Sequence, residues 1–236
     1  MSQPDILLYT ASTMNGWKPL LFLEEAEVDY ELRPIDFGKR EQKEDWYLEL
    51  NPNGRIPTIV DRGRDDFVVF ESGAILWYLA ERFGRFLPES ENQRSQTLQW
   101  LMFQMAGVGP MMGQAMFFQR IAAPNGHDVP YAIQRYVDES RRLLEVLDRR
   151  LEGREYLVGD ELTIADLSTY PWARSSPWAK VEIDGLHHLG AWLDRLDARP
   201  ALQRALQKPK PFPAFFGQED GGASEAENAG RFEQDA

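Results

Sequence analysis

The sequence predicts an α/β half followed by an all-helical half, and three observations carry that reading. A strand–helix–strand pattern fills residues 5–35, long enough for a right-handed parallel crossover. Two more apolar stretches and a helix follow before Pro88. From there to about residue 210 no convincing strand occurs, and apolar positions recur at helical spacing.

Taken in order, Asp5-Ile-Leu-Leu-Tyr9 is a short apolar run, the mark of a buried strand. The polar, turn-forming cluster Thr10–Gly16 leads into Trp17–Ala26, a run of helix formers. Its proline, Pro19, reads as lying in the first turn, where a missing N–H costs nothing. Tyr30–Ile35 alternates like a second strand. After a polar loop come the short amphipathic piece Asp45–Leu50 and the segment Asn51-Pro-Asn-Gly-Arg-Ile-Pro57. Thr58–Val60 and Phe67–Phe70 are the next strands, divided by a hairpin loop over Asp61–Asp66. Glu71–Phe83 is helical and stops at Gly84, a residue type favoured just past a helix end. Helical patterns then cover Arg94–Phe118, Tyr131–Leu151, Ile164–Trp178 and Leu189–Leu196, with a short helix after Pro200. The expected organisation is an α/β domain over 1–88, a linker at 89–93, an all-helical domain over 94–210 and an acidic tail over 211–236. From Gly217 onward the tail holds six acidic residues and one basic residue with little to pack, so disorder is expected there.

Composition narrows the function. At 43% hydrophobic and 27% charged residues, the chain is ordinary for a soluble globular protein. No apolar run reaches the roughly 18 residues of a membrane span, and the start is not a signal peptide. A cytoplasmic location is the default expectation, with no membrane partner. The formal net charge of −12 repels phosphate backbones, so nucleic acid is not expected as a partner. Cysteine is absent, which removes disulfide staples, thiolate metal sites and a catalytic cysteine. Any thiol chemistry must use a thiol that arrives as a ligand. His127, His187 and His188 form no metal-ligand spacing, so no metal site is expected.

Three clusters give the chain a recognisable outline. They are Asn51–Pro57, then Phe70-Glu-Ser-Gly-Ala-Ile75 with Leu76-Trp-Tyr-Leu79, then Thr163-Ile-Ala-Asp166. In this order and spacing they resemble the glutathione transferases, over residues 5 to about 208. The first resembles the loop ahead of that family's cis proline, the second its glutathione-binding helix start. The third resembles the capping box of its long buried helix. The resemblance implies a thioredoxin-like N-terminal domain, a helical-bundle C-terminal domain and glutathione as co-substrate between them. Thr13-Met-Asn-Gly16, Gly107–Gln114 and Pro130–Tyr136 further resemble the bacterial nu class. That class is linked to glutathione-dependent disulfide-bond reduction, with a site wide enough for two glutathione molecules, and it activates the sulfur with threonine and asparagine.

Carried onto this sequence, the resemblance makes Thr13 and Asn15 the catalytic pair, each donating a hydrogen bond to the glutathione sulfur. Ser12 is a rival to Thr13, and Tyr9 is less suited. Arg55, Ile56 and Pro57 would bind glutathione, the backbone of Ile56 pairing with its cysteinyl part like an added strand. Glu71 would pair with the ligand ammonium, and Ser72 with its carboxylate at a helix N-terminus. Gln42 and Arg135 would hold the ligand backbone or glycyl carboxylate. The residues alone allow a plainer reading: Thr13, Asn15 and Ser72 are common helix caps, with Glu71 in a first turn. Thr163 and Asp166 read as a folding element. Met102, Met105, Met111, Met112 and Met116 read as core or interface, with an electrophile pocket as the alternative.

The implied activity is glutathione-dependent disulfide-bond oxidoreduction, with glutathione disulfide as product or ligand. Two alternatives remain. One is conjugation or ether cleavage of an aromatic electrophile, lined by Tyr131, Tyr170, Trp172 and Trp178; the other is non-catalytic glutathione binding. A homodimer is implied, joined through the Met102–Met116 region and Phe67–Phe70.

Overall fold

The computed structural model describes residues 3–211; the expected acidic tail beyond lies outside them. The elements are β1 (Ile6–Thr10), α1 (Met14–Glu25), β2 (Tyr30–Pro34), α2 (Asp45–Leu50), β3 (Thr58–Asp61), β4 (Phe67–Phe70) and α3 (Ser72–Phe83). Then follow α4 (Glu91–Phe103), α5 (Gly109–Phe117), α6 (Pro130–Leu151), α7 (Ile164–Arg174), α8 (His187–Asp197) and α9 (Pro200–Leu206).

The sheet has the order β2-β1-β3-β4. The β1–β2 pair is parallel, Leu8 facing Leu32, while β1–β3 and β3–β4 are antiparallel. This is the thioredoxin-like arrangement. It explains why β1 reads as a continuous apolar run: as an inner strand it buries both faces, with Ile6 and Leu8 fully enclosed on one and Leu7 buried on the other. β4 is the edge and leaves Phe67 and Phe70 exposed.

α1 lies between the two halves, packed on α3 of the first and on α7 and α9 of the second. It is therefore buried nearly all round, with Trp17, Leu20, Leu21, Phe22 and Leu23 enclosed. The same apolar cluster continues through Ile75, Leu76 and Leu79 of α3 into Leu144 and Leu147 of α6, Leu167 of α7 and Trp192 of α8. One core thus spans both halves and fixes how they meet.

Three local expectations are corrected. α1 begins at Met14, not Trp17, so Asn15 is helical and Pro19 falls inside the helix. Pro19 then has no N–H for the Asn15 carbonyl. Asp61 is the last residue of β3, not part of a loop. It is fully buried and accepts from Tyr78 Oη (2.7 Å) and Arg82 Nε (3.0 Å), tying α3 to the sheet. The long helix expected over Arg94–Phe118 widens between α4 and α5 into a π-helical turn at Gln104–Val108. Pro110 cannot donate to Ala106, and just upstream the Gly109 N–H bonds Gln104 O, five residues back.

Candidate functional site

The N-terminus of α1 is built by a turn that only glycine permits. A Cβ at Gly16 would sit 2.0 Å from the Ala11 carbonyl and 2.7 Å from Thr10 Oγ1. With Gly16 in place, Thr13 is extended (φ −140°) and its Oγ1 accepts from the Gly16 N–H at 3.1 Å. The helix-cap reading of Thr13 is therefore correct. It is also compatible with a ligand role, because capping uses a lone pair and leaves the hydroxyl hydrogen free.

Asn15 Oδ1 accepts from Trp172 Nε1 of α7 at 2.9 Å. An indole N–H can only donate, so this contact orients the amide and leaves its NH2 for another acceptor. Among the described residues, neither that NH2 nor the Thr13 hydroxyl hydrogen has a partner. Ser12 differs: its Oγ donates to the Lys210 carbonyl (2.6 Å) and accepts from the Lys210 N–H (3.3 Å). It anchors the segment after α9. Tyr9 packs in an aromatic group, tilted against Trp46 and edge-on to Tyr47, with the Arg33 guanidinium over its ring.

The loop from Asn51 to Pro57 is held from within. Asn51 Oδ1 accepts from the Asn53 N–H (3.0 Å), and the Arg55 carbonyl accepts from Asn51 Nδ2 (2.7 Å) and Tyr47 Oη (2.9 Å). The Arg55 side chain is exposed. The Ile56–Pro57 bond is cis, as expected. Ile56 lies outside the ladder, whose end is Thr58 facing Tyr9 and Phe70. Gln42 is buried against this loop, its carbonyl 2.9 Å from where a Gly54 Cβ would be, and its Oε1 is buried without a partner.

At α3 the expected order is reversed: Glu71 is the cap residue and Ser72 the first helical one. Glu71 has φ 70° and ψ 117°, a conformation that costs a non-glycine residue about 1–3 kcal/mol and persists where surroundings impose it. No side chain caps this helix. Asn53 Nδ2 reaches Glu71 Oε1 at 3.5 Å, the weak end of a hydrogen bond, and so joins the loop to the helix start. Ser72 is only 3% exposed. Gly73 is needed here too, since a Cβ would lie 2.9 Å from Met105 Cγ.

The residue that sequence reasoning missed is Lys18. It is fully buried, one turn into α1, and its Nζ donates to Gln104 Oε1 (2.6 Å), Ser72 Oγ (3.2 Å) and Met105 Sδ (3.2 Å). Ser168 Oγ of α7 also donates to Gln104 Oε1, at 2.7 Å. Burial brings the Lys18 ammonium down to about 7, against the opposing pull of the Glu71 charge.

The structure thus gathers Thr13, Asn15, Ser72 and Glu71 with the Gln42 and Asn51–Pro57 region along the ends of α1 and α3. Arg135 comes from the helical half. It is exposed in the second turn of α6, where its charge acts on Glu139, and among the described residues no hydrogen bond or ion pair ties it to the others. Of the aromatic pocket candidates, Tyr170 is excluded as a lining residue: it is fully buried and bonds Asp197. Tyr131 is 77% exposed, and Trp172 serves Asn15. Met112 and Met116 are core, while Met102 is exposed.

Among the described residues no group of acidic and histidine side chains could hold a metal ion, and no helix is long and apolar enough to cross a membrane.

Residues 4–81 match the glutathione S-transferase N-terminal domain model, and residues 129–200 the C-terminal domain model. The disulfide-bond oxidoreductase YfcG of Escherichia coli (strain K12) is 44% identical over 205 residues, covering 85% of this chain and 94% of the relative. A second Escherichia coli disulfide-bond oxidoreductase, YghU, is 35% identical over 216 residues, covering 84% and 72%. A glutathione transferase from Pseudomonas putida, solved with one glutathione disulfide per subunit, superposes with a TM-score of 0.82 at 39% identity, covering 87% of this chain and 92% of that one. One from Burkholderia graminis, solved with two glutathione molecules per subunit, gives 0.82 at 40% identity, covering 88% and 89%. With both domain models matched in order, and relatives this similar along most of its length, the chain belongs to the glutathione S-transferase family.

Proposed function

We propose that this chain is a glutathione-dependent disulfide-bond oxidoreductase of the nu class, binding glutathione and glutathione disulfide along the ends of α1 and α3. The observation that carries this is the pair of unspent donors at the start of α1. The oxygens of Thr13 and Asn15 already accept from Gly16 and Trp172, while the hydroxyl hydrogen and the amide NH2 have no partner among the described residues. Two donors without a competing acceptor suit a thiolate. The glutathione disulfide in the Pseudomonas putida relative and the two glutathiones in the Burkholderia graminis relative support the same substrate class.

The chemistry runs as two exchanges. A bound glutathione thiolate attacks one sulfur of the substrate disulfide, and the other sulfur leaves as a thiolate and takes up a proton. A second glutathione thiolate attacks the mixed disulfide and releases the second substrate thiol with glutathione disulfide. Thr13 and Asn15 stabilise a thiolate equally as nucleophile or as leaving group, and exchange needs both. Glu71, Ser72, Gln42, Arg55, Ile56 and Pro57 clamp the rest of the tripeptide. Arg135, exposed on α6, would reach the ligand from the helical half.

Ionisation is not the main source of rate. A thiol with pKa near 8.5 is about 3% thiolate at pH 7. Two charge-assisted hydrogen bonds of about 1.5–3 kcal/mol each lower that pKa by roughly two units and raise the fraction about 25-fold. Falling nucleophilicity returns about eightfold of that, so roughly threefold remains. Alignment of the sulfur must supply the rest.

The test compares 2-hydroxyethyl disulfide with 1-chloro-2,4-dinitrobenzene, each with glutathione, in the wild type and three variants. The disulfide should have the higher kcat/KM. Thr13→Ala and Asn15→Ala should each lower it roughly tenfold, more through misalignment of the sulfur than through lost ionisation, and Ser12→Ala should not, since Ser12 serves Lys210. A better halide substrate, or loss of activity in Ser12→Ala alone, would overturn the mechanism.

A two-fold homodimer accompanies this reading. Phe67 and Phe70 on edge strand β4, with Leu98 and Met102 on α4, supply the exposed apolar surface it needs. A cytoplasmic setting suits the reaction, because thiols are kept reduced there.

A further inference from the structure

We propose that Lys18 is a positioning residue for the glutathione carboxylate, its ammonium directing the Ser72 hydroxyl and placing a buried positive charge behind the first turn of α3. The inference rests on the glutathione reading above and assigns a residue that reading does not use.

The geometry is specific. An ammonium has three hydrogens and no acceptor, and Lys18 Nζ has three partners, Gln104 Oε1, Ser72 Oγ and Met105 Sδ. The surroundings bear a cost to provide them. With its oxygen turned to Lys18 and Ser168, Gln104 leaves its Nε2 buried and unpartnered. Met105 sits where a Cβ at position 73 would crowd it, its Cγ 2.9 Å from that point.

This placement is unfavourable for folding alone. The N-terminus of a helix already carries partial positive charge, and a buried cation there adds to it. Nothing internal cancels the charge in full: the charged group acting on Lys18 is Glu71, the exposed cap residue of α3, while the turn after α4 contributes Gln104 and Met105 and α7 contributes Ser168, all neutral. From solvent inward the order is Glu71, Ser72, Lys18. An anion at the helix start would complete it, and the α-carboxylate of the γ-glutamyl group is such an anion.

Lys18 would act through Ser72. By donating to Ser72 Oγ it occupies a lone pair, so the hydroxyl must use its own hydrogen elsewhere. That hydrogen now goes to Met105 Sδ at 3.8 Å, a weak acceptor readily exchanged for a carboxylate oxygen. Carboxylate binding in turn favours the charged lysine, so binding takes up a proton wherever the free protein holds Lys18 partly neutral.

The experiment is calorimetric titration with S-methylglutathione, whose sulfur has no titrating proton, between pH 6 and 8 in two buffers of unlike ionisation enthalpy. Wild-type protein should bind severalfold more weakly at pH 8 than at pH 6 and take up a fraction of a proton near pH 7.5. Lys18→Met should bind about tenfold more weakly at pH 6, with neither proton uptake nor pH dependence. Circular dichroism checks that it folds, and if it does not, wild-type proton uptake decides alone. A wild type without uptake and with flat affinity, or a folded Lys18→Met that matches it, overturns the inference and leaves the glutathione reading intact. A wild type that binds no S-methylglutathione overturns both.

Discussion

The starts of α3 and α7 are both helix N-termini at the junction of the two halves, and they are finished in opposite ways. At α7 the chain supplies the anion itself. Asp166 is fully buried and accepts from the Thr163 N–H (3.0 Å), the Thr163 hydroxyl (2.8 Å), the Leu157 N–H (2.9 Å) and Trp192 Nε1 (3.0 Å). At α3 no side chain caps the helix, Glu71 is held at positive φ, and the buried group beneath is a cation. A closed N-terminus with its own carboxylate is a folding element. One left uncapped over a buried positive charge fits the outside carboxylate proposed for it above.

The contrast can be broken by mutation. Replacing Asp166 with alanine should cost the most, about 3–4 kcal/mol of stability, because it orphans several buried donors at once. Thermal denaturation measures it, and a melting temperature close to wild type would mean the α7 start is not closed in the way described.

Glu71→Ala and Ser72→Ala should do the reverse. Each should weaken glutathione binding by about 1–3 kcal/mol while leaving the fold intact. Normal glutathione affinity in both would make the α3 start a plain helix end.

A pH effect sharpens the comparison from the side of the buried cation. Unfolded, Lys18 keeps its proton up to its ordinary value of 10.5; folded, burial releases it at about 7. Between those values the unfolded state binds more protons, so folding stability rises with pH, by at most about 1.4 kcal/mol per pH unit. Denaturant unfolding of wild type and Lys18→Met across pH 7–10 should show the gap between them closing as pH rises. A constant gap would mean that Lys18 is held charged in the ligand-free protein.

What the sequence made legible follows the range of the interactions. The βαβ-ββα order, the Thr163–Asp166 box and the Thr13 cap are set by neighbours within a few residues, and those were readable. The cis bond at Pro57 was reached through the family resemblance, which is also the source of the roles proposed for Glu71 and Ser72. The start of α1 was misplaced because Pro19 looked like a first-turn residue, when Thr13 with Gly16 had already closed the turn. The cap at Glu71 was misread because nothing local announces a glutamate at positive φ. Lys18 was invisible for a different reason: a lysine within a helix normally faces water, and its acceptors Ser72 and Gln104 lie 54 and 86 residues further on. The same distance hid the Trp172–Asn15 contact, which spans 157 residues. No composition rule reveals such pairs.

A crystal structure with glutathione disulfide bound tests the central claim most directly. One γ-glutamyl carboxylate should lie at the first turn of α3, within hydrogen-bond reach of Ser72, with its ammonium near Glu71 and its sulfur within reach of the Thr13 hydroxyl and the Asn15 amide. A disulfide seated away from the α3 start, or one whose sulfur contacts Ser12 or Tyr9 in place of Thr13 and Asn15, would contradict it.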